Sequence, residues 1–134
     1  MNPEISASFE AYPQTAVRWL LWARELIYQE AAGRSLGLVQ ESLKWGEASY
    51  RVKGGTAIRL AWKAKRPRAI QIFFHCQTCL VDTFRELYPY EFEYQGNRAI
   101  VLPLDGPVNE QALRHCISLA LQYHSLKHLP LLGA

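Results

Sequence analysis

Residues 57–75 read Ala-Ile-Arg-Leu-Ala-Trp-Lys-Ala-Lys-Arg-Pro-Arg-Ala-Ile-Gln-Ile-Phe-Phe-His, and this stretch decides the fold. Ile58, Leu60 and Trp62 alternate with Arg59, Ala61 and Lys63; Ile70, Ile72 and Phe74 alternate with Gln71, Phe73 and His75. Period-two alternation of apolar and polar residues is the mark of a strand with one face in a core. The basic turn Lys65-Arg66-Pro67-Arg68 joins the two runs, so they predict an antiparallel pair whose second face is open to water.

Working outward, Ser42–Val52 predicts a further strand, irregular at Gly46, and Gly54-Gly55 predicts a turn. Upstream lie a short helix over 3–11, with Asn2 as N-cap and Pro3 at its first position, and a long helix over about 14–32 that Gly33 ends. Val17, Leu20, Leu21, Arg24, Ile27, Tyr28 and Ala31 recur at helical spacing along the long helix. Downstream, a helix over about 77–88 stops at Pro89. A strand pair follows, 90–95 and 98–104, turning at Gly96-Asn97. The last helix starts near Asn109, its stripe running through Leu113, Cys116, Ile117, Ala120 and Leu121. Strands and helices that do not alternate as βαβ units predict an α+β domain spanning residues 1–134: about five antiparallel strands in a curved sheet, helices on one face.

The composition bounds the function. With 134 residues and 49% hydrophobic residues the chain folds as one domain without a metal or disulfide staple. Its longest apolar run, Trp19–Ala23, is far shorter than the roughly 20 residues of a membrane span. Three cysteines and no leader pattern lead us to expect a cytoplasmic protein with reduced thiols. The net charge of +3 is too small to imply a nucleic-acid partner unless it is concentrated on one face.

The stretch Leu43-Lys44-Trp45-Gly46-Glu47-Ala48-Ser49-Tyr50, with the two alternating strands, Arg85–Pro89 closing a helix, and the C-terminal helix, resembles the YdhG-like family of small bacterial domains. Members of that family usually carry proline where Ala48 stands. The resemblance covers about residues 14–125 and implies a secretion-chaperone-like α+β fold. It implies little about activity: most members have no known function, and some are described as frataxin-like iron chaperones. Iron binding of that type uses an acidic helix, whereas the long helix here sets only Glu25 and Glu30 against Arg18 and Arg24.

Candidate functional residues fall into three groups. Alternation puts Arg59, Lys63, Gln71, Phe73 and His75 on the sheet face away from the helices, with Glu91 and Glu93 joining if all the strands form one sheet. Such a face is either simply solvated or a surface for a small ligand, a protein partner or a second copy of the chain. We expect Phe73 there as an exposed ring favouring self-association. Trp45 and Tyr50 are expected mainly as fold-defining core, or else as a pair lining a pocket. His75-Cys76-Gln77-Thr78-Cys79 sits where a strand passes into a helix; it offers ordinary cysteines, part of an iron or zinc site, or a dithiol pair. The second pair of ligands that a structural zinc needs is missing, since His115 and Cys116 are helical neighbours that diverge by about 100°. No resident cofactor is expected. The basic run Lys63, Lys65, Arg66 and Arg68 is either a solvated turn or a grip for phosphate. The leading expectation is a non-enzymatic binding or adaptor domain that self-associates; the alternative is metal handling through His75, Cys76 and Cys79.

Overall fold

The computed structural model describes all 134 residues. Helices α1 (Pro3–Phe9) and α2 (Gln14–Gly33) precede strands β1 (Gln40–Lys44), β2 (Glu47–Arg51), β3 (Ile58–Ala61) and β4 (Ala69–Phe74). Helix α3 (Leu80–Leu87) leads to β5 (Glu93–Gln95) and β6 (Ala99–Pro103), followed by α4 (Glu110–Leu121), α5 (Tyr123–Leu126) and a 3-10 turn over Pro130–Gly133. The strands form one open antiparallel sheet in the order β1-β2-β3-β4-β6-β5. The α+β class and the curved sheet are as predicted, with six strands in place of about five.

The sixth strand comes from a hairpin hidden inside the expected strand over 42–52. Trp45 and Gly46 both have positive φ, 54° and 77°, the left-handed pair of a two-residue type I′ turn. Lys44 therefore pairs with Glu47, and the chain doubles back. Strand β5 is also shorter than the alternation over 90–95 suggests, and α3 starts at Leu80 because residues 75–79 are spent on a turn.

Both predicted N-caps are made: Asn2 Oδ1 accepts from Glu4 N at 2.8 Å, and Asn109 Oδ1 from Ala112 N at 3.0 Å. Each satisfies an orphan N–H of a first helical turn. Leu20, Ala23 and Ile27 of α2, with Leu113, Ile117 and Ala120 of α4, pack on Ile58, Leu60, Ile70, Ile72 and Ile100 of the inner sheet face. Each fully buried Ile or Leu contributes about 1.5–3 kcal/mol, so this layer holds the fold. Arg24 turns out of the apolar stripe of α2 to Glu41 on β1, Nε to Oε2 at 2.7 Å, and the backbone N–H of Asn2 donates to the same carboxylate at 2.9 Å. Burial pushes the Glu41 pKa up, but the bonds from Arg24 and Asn2 prevail and hold it below the usual carboxylate value.

Antiparallel connectivity gives the sheet two ends of different character. The β1–β2 turn, the β3–β4 connection, Tyr90 and the end of β6 gather at one end; Gly54-Gly55 and the His75–Cys79 segment lie at the other. At that second end Gly55 is pressed against α4: a Cβ there would lie 2.3 Å from Leu121 O. Thr56 N donates to Ala120 O and His124 N to Gly54 O, fastening the turn to the helix end.

Candidate functional site on the open sheet face

The outer face carries no helix. Ser49, Arg59, Phe73, Ala99 and Gln95 line up across β2, β3, β4, β6 and β5 through the strand register. The adjacent row, continuing the same register, is Glu47, Ala61, Gln71, Val101 and Glu93. Of the residues predicted for this face, Arg59, Gln71 and Phe73 share it and Glu93 joins them because β5 belongs to the same sheet, whereas Lys63, His75 and Glu91 lie beyond the strand ends.

Phe73 is not the exposed ring that was expected. It is only 7% exposed and forms a small apolar floor with Ala61 and Ala99. The Arg59 guanidinium and the Lys63 ammonium stand 5.8 and 5.9 Å from its ring centroid. Both cations are tied to Glu47, Arg59 Nε to Oε1 at 3.2 Å and Lys63 Nζ to Oε2 at 2.5 Å. On the other side of the face Arg66 Nη2 reaches Glu93 Oε2 at 2.5 Å. The Arg66–Glu93 pair is exposed on both sides and contributes only about 0–1 kcal/mol; Glu47 is itself buried and shared by two cations, which holds that cluster more firmly, and each contact with the ring adds about 0.5–1 kcal/mol.

Gln71 occupies the centre of β4 between Ala61 and Val101. It is 1% exposed, yet neither Oε1 nor Nε2 has a hydrogen-bond partner within the chain. More than about nine in ten buried polar groups are paired, and each one left unpaired costs roughly 1–3 kcal/mol. A leucine here would fit the apolar neighbours better; the carboxamide offers one acceptor and one donor side by side.

The other sequence candidates lie elsewhere. Trp45 and Tyr50 do not form a pair. Trp45 is 90% exposed at the β1–β2 turn, so it is not core. Tyr50 is fully buried on the inner face, its ring 6.0 Å from that of Tyr28, and is no part of a ligand surface. Burial and the neighbouring Glu41 carboxylate push its phenol pKa up. His75, at the far end of β4, is exposed, and its Nδ1 accepts from Gln77 N at 3.0 Å. Cys76 and Cys79 are exposed while Cys116 is buried in α4, where burial pushes its thiol up. No three His, Cys, Asp or Glu side chains are grouped to hold a metal ion.

Two polar arrangements were missed from the sequence. Glu47, the acid that ties Arg59 and Lys63, was not among the residues expected on the outer face, although its parity, opposite to that of the buried Tyr50, places it there. The Tyr88 hydroxyl and His115 Nδ1 share a 2.6 Å hydrogen bond between the end of α3 and α4, a pairing that no spacing along the chain signals. No protein-family model, no curated protein and no solved structure matches this chain, so the reading of the site rests on its own geometry.

Proposed function

We propose that the protein is a binding domain whose open sheet face takes a polar ligand, with Gln71 as the recognising group. The observation that carries this is the buried carboxamide of Gln71, unpaired within the chain on the one face that no helix covers. A ligand edge presenting a donor beside an acceptor would pair with both amide atoms. Reaching them requires the side chains bordering the face to move, among which the exposed Arg66–Glu93 pair is weakly held. Phe73, Ala61 and Ala99 supply an apolar floor beside it. Membership of the YdhG-like family is part of the proposal and rests on the Trp45-Gly46…Tyr50 motif.

The motive offered for self-association, an exposed Phe73 ring, is absent, because the ring is covered and the Arg59, Lys63 and Glu47 charges stand beside it. Charged residues are depleted from the cores of stable interfaces. The test is a thermal-shift panel of nucleosides, amino acids and small amides on the wild type and on Gln71→Leu. A compound that stabilises the wild type and leaves Gln71→Leu unmoved supports the reading. At 100 times Kd such a compound stabilises by about 2.7 kcal/mol. Equal response of both proteins contradicts a recognising role for Gln71.

A further inference from the structure

The net charge of +3 conceals a split. Residues 44–68 hold eight of the fifteen lysines and arginines but only Glu47 of the twelve acids, a net of +7; the rest of the chain carries seven bases and eleven acids, a net of −4. The fold gathers much of this positive segment on one surface. By strand parity Lys44, Arg51 and Arg59 point from the outer face, and Lys63, Lys65 and Arg68 border it at the Trp45 end. Lys44, Arg51, Lys65 and Arg68 are exposed, and none makes an ion pair within the chain. The concentration of charge on one face, which the whole-chain value did not lead us to expect, is therefore present.

Two exposed rings stand at the same end. Trp45 is held out by its tight turn, and Tyr90, 95% exposed, stands across a cleft of about 720 Å³ from the Lys65–Arg68 turn. Glu91, Glu93 and Asp105 also border that cleft and bound the positive track on its far side.

We infer that this face binds single-stranded nucleic acid, an inference that rests on the binding reading of the open face and names its ligand. Unpaired cations attract phosphates, and guanidinium groups grip them in pairs of hydrogen bonds. A rigidly presented indole stacks on a base only where the base has a free face, which a duplex interior denies. The edge of a nucleobase carries adjacent donor and acceptor atoms, the pattern that the Gln71 carboxamide complements. The track measures about 15 Å from Arg51 along β2 towards the Trp45 turn and about 10 Å across to β4 by strand geometry, room for a few nucleotides. An anionic membrane is less well matched, because the cations spread along a sheet face and Trp45 is the one apolar group at the β1–β2 tip.

The experiment is fluorescence anisotropy with a fluorescein-labelled 12-nucleotide single-stranded RNA of mixed sequence, at 50 and 200 mM salt. Four phosphate contacts predict a salt exponent near −3, so affinity falls about 50-fold between the two conditions. The double variant Lys65→Glu/Arg68→Glu, altered only in an exposed turn, should bind at least tenfold more weakly at 50 mM with a shallower salt dependence. Trp45→Asn, which keeps the left-handed turn, should weaken binding about 5- to 100-fold without changing the salt exponent. The inference is overturned by no anisotropy change at 100 μM protein and 50 mM salt. It is equally overturned if the double variant binds as the wild type does, or if phosphatidylserine vesicles, and not RNA, take the protein with the same variant dependence. If RNA fails while Gln71→Leu is more stable than the wild type, the nucleic-acid identity alone falls. If Gln71→Leu is less stable, the binding reading of the face falls with it.

Discussion

Replacing Trp45 with asparagine should leave the protein as stable as before or slightly more so. A buried tryptophan truncated in a core costs about 3–5 kcal/mol, and that is what the sequence-based placement of Trp45 predicts. In the structure the ring is 90% exposed and belongs to neither apolar cluster, so its removal forfeits almost no burial. The backbone term has the opposite sign. A non-glycine residue at φ 54° pays a left-handed penalty of about 1–2 kcal/mol, which asparagine largely escapes, and Asn-Gly is the favoured pair for a type I′ turn. The expected change is therefore between no effect and about 1 kcal/mol of added stability. In urea unfolding this appears as a midpoint unchanged or raised by up to about 0.5 M, with an unaltered slope. A loss above about 1 kcal/mol would refute the reasoning, since it would mean that the indole is packed.

Further predictions concern the other end of the sheet and the helical layer. Gly55→Ala should destabilise by about 1–3 kcal/mol or prevent folding, because its Cβ would meet the Leu121 carbonyl at 2.3 Å with backbone on both sides; a urea midpoint within 0.2 M of wild type would contradict that contact. His115 is pushed below the ordinary imidazole pKa by burial, with Arg34 adding to the effect. The unfolded chain therefore takes up this proton near pH 6.5 while the folded one does not, and stability is lost as pH falls through and below that value. Urea midpoints at pH 7.5 and 5.5 should diverge less in His115→Asn than in wild type; equal divergence would remove His115 from the account. For the Cys76–Cys79 segment we expect well below one zinc per chain in protein purified without chelator, and Cys76→Ser should leave the unfolding midpoint nearly unchanged. Stoichiometric metal lost together with the fold on chelation would favour the metal-handling alternative.

What could be read along the chain follows from which forces are local. The alternation over 58–61 and 70–74 assigned each side chain to its face correctly, because strand parity is fixed by covalent geometry, whereas Trp62, Lys63 and His75 fall just beyond the strand ends. Asn2 and Asn109 marked helix starts for the same reason, since caps are made within a few residues; Gly33 falls at the end of α2 but inside it, with Arg34 as the C-cap. The hairpin at Trp45-Gly46 was not legible: tryptophan is an unusual occupant of a left-handed position, and the motif reads as a continuous strand. The unread hairpin is why Trp45 was expected in the core and stands instead at an exposed turn. Phe73 was expected to be exposed because the helices lie on the other face; its cover comes from Arg59 and Lys63, whose direction depends on Glu47 one strand away. The lone carboxamide of Gln71 was placed on the right face, but its lack of partners is a property of the folded sheet. The grouping of basic residues over 44–68 was present in the sequence, obscured by a charge summed over the whole chain.

The central claim is that Gln71 is kept for a ligand at the expense of the free protein. The most direct measurement is the thermal unfolding of ligand-free wild type against ligand-free Gln71→Leu. Leucine removes two buried unpaired polar atoms and adds apolar contact with Ala61 and Val101. At roughly 1–3 kcal/mol for each polar atom relieved, less whatever strain the branched side chain introduces, a net gain of about 1–3 kcal/mol is expected. For a domain of this size that raises Tm by roughly 3–10 °C. A Tm equal to or below that of the wild type would show the carboxamide to be satisfied within the fold, and would contradict the assignment of this face as a binding site.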